Sequence, residues 1–108
     1  MMDGCITMLE KLEYTHEAGK NAKHDVTVFA LSTCGFCKSC MKFLHDKNIT
    51  FKYVYYDLLE PDVKTAVKEE LGNKFKERIM FPFIVVDGGK RVVVGFKEDE
   101  LAKCLELQ

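Results

Sequence analysis

The sequence predicts an α/β domain: a mixed sheet of four core strands with helices on both faces, and an extra strand near the N-terminus. Three observations carry that prediction. Residues Val26–Leu31 form a run that is apolar on both parities, as a central strand covered on both faces requires. A helical pattern separates this run from a second strand-like run, which calls for a right-handed crossover and a parallel pair. Asp87-Gly88-Gly89-Lys90 lies between two β-branched runs, a hairpin signal that adds antiparallel strands.

The elements follow in order. Residues 5–16 alternate loosely, with Ile6, Met8, Leu12 and Tyr14 on one parity, and read as a strand on the edge of the sheet. A short amphipathic helix is the competing reading, because Leu9 and Leu12 also suit that period. Polar residues 17–25, with Gly19 and Asn21, read as a loop. The strand at Val26–Leu31 ends at Ser32-Thr33, residue types that cap helices. From Gly35 to about Lys47, Cys37, Met41 and Leu44 recur as one buried helical stripe. Residues 50–57, rich in aromatic and β-branched side chains, read as the second core strand. Pro61 suits a first helical turn, Val63, Ala66, Val67 and Leu71 follow at helical spacing, and Gly72 is expected to stop that helix, with residues 73–79 adding at most a further turn or two. Phe83–Val86 and Arg91–Val94 form the hairpin, and residues 98–107 close the chain as a helix with Leu101 and Leu105 four apart.

The 108 residues suit one domain, with residues 1–25 as an N-terminal extension and 26–108 as the folded unit. A net charge of −1 gives no reason to expect nucleic acid or an anionic membrane as partner. The apolar runs are too short to span a bilayer, and the N-terminus has no apolar signal core, so a reducing, cytoplasmic setting is expected. Five cysteines in that setting point to catalysis, metal binding or simple burial before a disulfide framework.

Cys34-Gly35-Phe36-Cys37 stands where the central strand meets the next helix. Thiols three apart across a first helical turn can close a disulfide. Free amides of that turn and the positive end of the helix dipole favour a thiolate at the helix start. Cys34 is therefore expected to be the exposed nucleophile, and Cys37, one turn in, the shielded resolving thiol. Cys40 extends the pattern to C-x-x-C-x-x-C, a spacing also used for iron–sulfur ligation. Against that, a structural zinc needs four ligands, and helical spacing turns Cys40 away from Cys34. Their separation of about 9 Å along the axis exceeds the limit of about 7 Å for a bridge. Cys40 is thus expected to modulate the site. Cys5 and Cys104 read as unremarkable, and His16, His24 and His45 as surface residues. Pro82, at the entry to an apolar strand, is placed acceptably there.

Ser32–Cys37 after a strand, Phe81-Pro82 before another, and Gly95–Asp99 before the last helix together resemble the glutaredoxin-like redoxins, over about residues 26–107. The resemblance implies a thioredoxin fold in which Pro82 is cis and faces Cys34, with the backbone of Phe81 binding an extended substrate. Phe36, Gly95 and Phe96 would complete the substrate contacts. Glutathione-binding members usually carry a second glycine where Phe96 stands, and a small aliphatic residue in place of Phe81. Gly95-Phe96-Lys97 is instead similar to the redoxins that deliver electrons to ribonucleotide reductase. Implied partners are disulfide-bearing proteins such as that enzyme, and an upstream disulfide reductase or glutathione. The dithiol needs no metal or resident cofactor, and a monomer is expected. Cys-Gly-Phe also echoes monothiol glutaredoxins that share a [2Fe–2S] cluster, so a cluster carrier is the alternative function. A non-catalytic, redox-responsive binding module is a third.

Overall fold

The computed structural model describes residues 12–75 and 79–105. In chain order it contains β1 (Thr15–Glu17), β2 (Val26–Ala30), α1 (Gly35–Asp46), β3 (Phe51–Tyr55) and a 3-10 turn (Tyr56–Leu58). There follow α2 (Pro61–Phe75), β4 (Phe83–Val86), a second 3-10 turn (Asp87–Gly89), β5 (Arg91–Val94) and α3 (Glu98–Cys104). The strands form one sheet in the order β1-β3-β2-β4-β5. β2 and β3 run parallel, with Ala30 opposite Tyr55, and the other neighbours are antiparallel.

β2 is the middle strand, and all five of its residues are buried. On one face Val26, Val28 and Ala30 pack with Cys37, Cys40 and Leu44 of α1 and with Leu101 and Leu105 at α3. On the other, Phe29 packs with Val54, Phe83 and Val85 and with Val67 and Leu71 of α2. The both-parity apolar run thus serves two cores, and a polar substitution on either face would strand an unpaired group.

Several boundaries differ from expectation. Much of the predicted 5–16 strand lies outside the described residues, and within them pairing begins only at Thr15. Tyr14 instead lays its ring edge-on to Phe29 at 6.1 Å, under the Lys52 ammonium at 4.8 Å. Its apolar character serves packing, while the exposed edge strand that follows is polar. Gly72 does not stop α2, which continues to Phe75. Neither a left-handed backbone nor a close neighbour sets that glycine apart, and Val67 and Leu71 anchor the helix up to it. The buried stripe of α1 is Cys37, Cys40 and Leu44, with Met41 only half-buried, because α1 faces β2 and α3 more squarely than the i+4 spacing suggested. The last helix ends at Cys104, with Leu105 as its buried cap residue.

Asn48, at φ 58°, reverses the chain after α1, and its carbonyl accepts the Asn21 N–H at 2.8 Å. A Cβ on Gly19 would sit 2.4 Å from that carbonyl oxygen, so glycine is required where the N-terminal loop crosses this turn. His24 is not a surface residue. Its side chain is largely buried, with Nδ1 2.7 Å from Asp87 Oδ2.

Candidate active site

β2 and β3 end on the same side of the sheet, and the chain leaving β2 turns at once into α1. Cys34 is the N-cap of α1, with an extended backbone (φ −88°, ψ 118°), and its Sγ accepts the Cys37 N–H at 3.2 Å. A sulfur acceptor satisfies one of the orphan amides of the first turn, where the helix dipole favours negative charge. The first turn of α1 carries no acidic residue to compete. The Cys34 N–H donates to Leu31 O at 3.2 Å, and its carbonyl accepts the Lys38 N–H at 3.1 Å.

The two thiols are unequal. Cys34 is half-buried, and Cys37 is fully buried among Val28, Ala30 and Leu44. Burial pushes the Cys37 thiol up to about 12, helped by its hydrogen bond to Cys34 and by the charges of Cys34 and Asp57, while the Leu31 backbone opposes the rise. Cys40 is buried in the same cluster, and burial, then the neighbouring Cys37 and Cys34, push its thiol up to about 12. Cys104 is half-buried against this core, and Cys5 lies outside the described residues. Among the described residues, no group of three metal-ligating side chains comes together.

The Phe81-Pro82 bond is cis, as the resemblance implied. Phe83 pairs with Phe29, so Pro82 stands beside the end of β2 from which the Cys34 loop departs. Its carbonyl accepts the Gly95 N–H at 2.8 Å, and Gly95 holds φ +82°, which favours glycine. The Phe81 ring lies 5.0 Å from that of Tyr56. Phe96 packs toward α1, its ring 6.0 Å from Phe43. Phe36 projects into solvent at 72 % exposure, and Leu58 (69 %) and Met80 (50 %) are the other large exposed apolar side chains among the described residues. Cys34, Phe36, Cys37, Phe81, Pro82 and Gly95 therefore gather at one end of the sheet, while Cys40 faces the core.

Ser32 does not cap α1. Its N–H donates to Asp57 Oδ1 at 2.9 Å and its O–H to Asp57 Oδ2 at 2.6 Å. These two bonds hold the Asp57 carboxyl below the usual carboxylate range. Neither side of this contact stands out in the sequence. The one available signal was an aspartate at the end of a strand expected to run parallel to the strand before the cysteines.

Residues 26–91 match the family model for glutaredoxin. The chain belongs to the glutaredoxin family. Its fold is similar to that of the glutaredoxin from Methanosarcina mazei Go1, at 34 % identity over 85 % of this chain and 86 % of that one, with a TM-score of 0.74. Methanoredoxin from Methanosarcina acetivorans is 32 % identical over 75 % of this chain and 83 % of its own, with a TM-score of 0.67. The glutaredoxin from Archaeoglobus fulgidus is 28 % identical, covering 74 % and 84 % of the two chains, with a TM-score of 0.65. None of the proteins with curated descriptions matches this sequence. Family and neighbours together support a protein of the thiol–disulfide oxidoreductase type with a thioredoxin-like fold.

Proposed function

We propose that this glutaredoxin-family protein reduces disulfides by dithiol exchange, with Cys34 as nucleophile and Cys37 as resolving thiol. The observation that carries the reading is the asymmetry of the pair: the Cys34 sulfur receives the Cys37 N–H at the helix start, and Cys37 is buried with a raised pKa. The Cys34 thiolate attacks one substrate sulfur, the substrate S–S bond breaks, and the departing thiolate takes up a proton. Cys37 then gives up its proton to solvent and attacks Cys34 Sγ. The second substrate thiolate leaves, and two electrons have passed from the protein to the substrate. The resulting Cys34–Cys37 disulfide awaits an upstream reductant.

Protein disulfides are the proposed substrates, in a reducing compartment such as the cytoplasm, with ribonucleotide reductase as one candidate. The apolar side chains of Phe36, Leu58 and Met80, exposed around the site, support a protein over a charged tripeptide. Phe96 supports the same choice of donor. Glutathione needs backbone room and paired polar groups near the nucleophile, and here an aromatic side chain packed on Phe43 follows Gly95. A protein disulfide reductase is therefore the proposed donor. A cluster held by Cys34, Cys37 and Cys40 does not fit this site, because Cys40 would have to leave the core it shares with Leu44.

Steady-state reduction of insulin with matched donors tests the reading. Turnover with a thioredoxin-type reductase, exceeding that with glutathione and its reductase, is expected. Saturable turnover with submillimolar glutathione would reverse the donor assignment, and no turnover with any donor would remove the oxidoreductase reading.

A further inference from the structure

The parallel ladder between β2 and β3 pairs each residue with one 25 positions later, ending at Ala30 opposite Tyr55, and the Ser32–Asp57 contact has the same separation of 25. Two residues beyond the last pair, the strands have parted. Tyr56–Leu58 has turned into a 3-10 helix, and the other chain is bending toward α1. A carboxylate here takes the place of ladder carbonyls. Its two oxygens accept the N–H and the O–H of one residue, at 2.9 and 2.6 Å. Charge-assisted bonds of this kind are shorter and stronger than neutral ones. The residue so held lies two positions before Cys34, whose own N–H is bound to Leu31 O.

We propose that Asp57 is a positioning residue of the exchange site: acting through Ser32, it fixes the loop of residues 31–34 and so holds Cys34 in reach of Cys37. The inference rests on the dithiol reading of the two cysteines. Its chemical step is ring closure, in which Cys37 attacks Cys34 Sγ in a mixed disulfide. That step needs the entering sulfur aligned with the bond it breaks, and a displacement of about 1 Å costs up to about a hundredfold in rate. The carboxylate keeps its charge across the range where thiols exchange, because Ser32, with a smaller contribution from the charge of Lys64 on α2, holds it ionised. Toward Cys37 the facing ionisable groups are Cys34, Asp57 and Tyr55 of β3, and Cys40 lies one turn further along α1.

An aromatic disulfide such as 5,5′-dithiobis(2-nitrobenzoate) separates the two steps. Attack by Cys34 releases one aromatic thiolate, and ring closure by Cys37 breaks the Cys34–aryl disulfide and releases the second. Reduced protein is mixed with the reagent, and acid-quenched samples are mapped by mass spectrometry to follow Cys34. Asp57→Ala and Ser32→Ala should each slow ring closure about tenfold, while first attack changes by no more than about threefold. Because one residue acts through the other, Ser32→Ala/Asp57→Ala should be no slower than either single variant. Asp57→Asn keeps one acceptor for Ser32 and should recover part of the rate. Additive losses, or an equal slowing of both steps, would overturn the role assigned to Asp57 and leave the dithiol reading standing. A wild-type protein that forms the Cys34 mixed disulfide but never closes the ring would overturn both.

Discussion

An aspartate ties a loop down at each end of β2, and the two ties do different work. At the N-terminal end, Asp87 Oδ2 meets the His24 ring at 2.7 Å, Asp87 Oδ1 accepts the Asp25 N–H at 3.0 Å, and the Asp87 N–H donates back to Asp25 O at 2.7 Å. At the C-terminal end, Asp57 holds Ser32. Each carboxyl is kept below its usual range, Asp87 chiefly by His24 and Asp57 chiefly by Ser32. The Asp87 tie joins a loop to the hairpin turn and secures the fold. The Asp57 tie secures a loop that leads within two residues to the half-buried Cys34 sulfur at a helix start. One motif gives stability where no reactive group follows, and positioning where one does.

The largest effect expected is at the nucleophile. Cys34→Ser should lower disulfide turnover by at least about a thousandfold, since a hydroxyl at that helix start cannot replace a thiolate. Its urea midpoint should stay close to wild type, because Cys34 is half-exposed. A large stability loss would move Cys34 from the reactive end into the core account.

Cys40 reverses that pattern. Cys40→Ser buries a hydroxyl among Val28, Leu44 and Leu101, at a cost of about 1–3 kcal/mol. Most of the turnover should remain. Denaturation and insulin reduction measured on one preparation check both halves, and loss of activity equal to that of Cys34→Ser would return Cys40 to the reacting site.

Much of this contrast was legible in the sequence. The both-parity run at 26–31 named the central strand, and the hairpin was placed at its residues because Asp87-Gly88-Gly89-Lys90 supplies the left-handed positions, with Gly88 at φ 68° and Gly89 at φ 111°. The Cys34–Cys37 pair followed from spacing at a strand–helix junction. The aspartate ties did not, since Ser32 and Asp57 meet only once the parallel register exists, and His24 and Asp87 lie 63 residues apart. Local signals also misled where tertiary packing overrode them. Ser32 is a good capping residue that is used elsewhere, and Gly72 is a good stop signal inside a helix that Val67 and Leu71 anchor from its N-terminal side.

The tie at Asp87 makes a pH prediction. Its folded pKa lies below the ordinary value of 3.8, so its stabilisation is present above that value and is lost as pH falls through the depressed folded one. Asp87→Ala should lower the urea midpoint at pH 7 and leave turnover unchanged, and the gap from wild type should narrow toward pH 3. A gap that widens on acidification would contradict the tie.

The smallest effect concerns the donor. Phe96→Gly opens the space beside Gly95 and should raise glutathione-coupled turnover by roughly threefold to tenfold, about 1 kcal/mol in the transition state. Unchanged glutathione use would mean that Phe96 does not set the choice of donor.

The central claim is that the reactive end of the sheet holds an attacking sulfur at Cys34 and a resolving one at Cys37. Trapping tests it most directly. Reduced Cys37→Ser and Cys34→Ser proteins are mixed with a disulfide-bonded protein substrate, quenched with acid, and analysed by non-reducing mass spectrometry. The Cys37 variant should accumulate a stable mixed disulfide through Cys34, and the Cys34 variant should accumulate none. Equal trapping by the two variants, or trapping through Cys37 alone, would contradict the assignment.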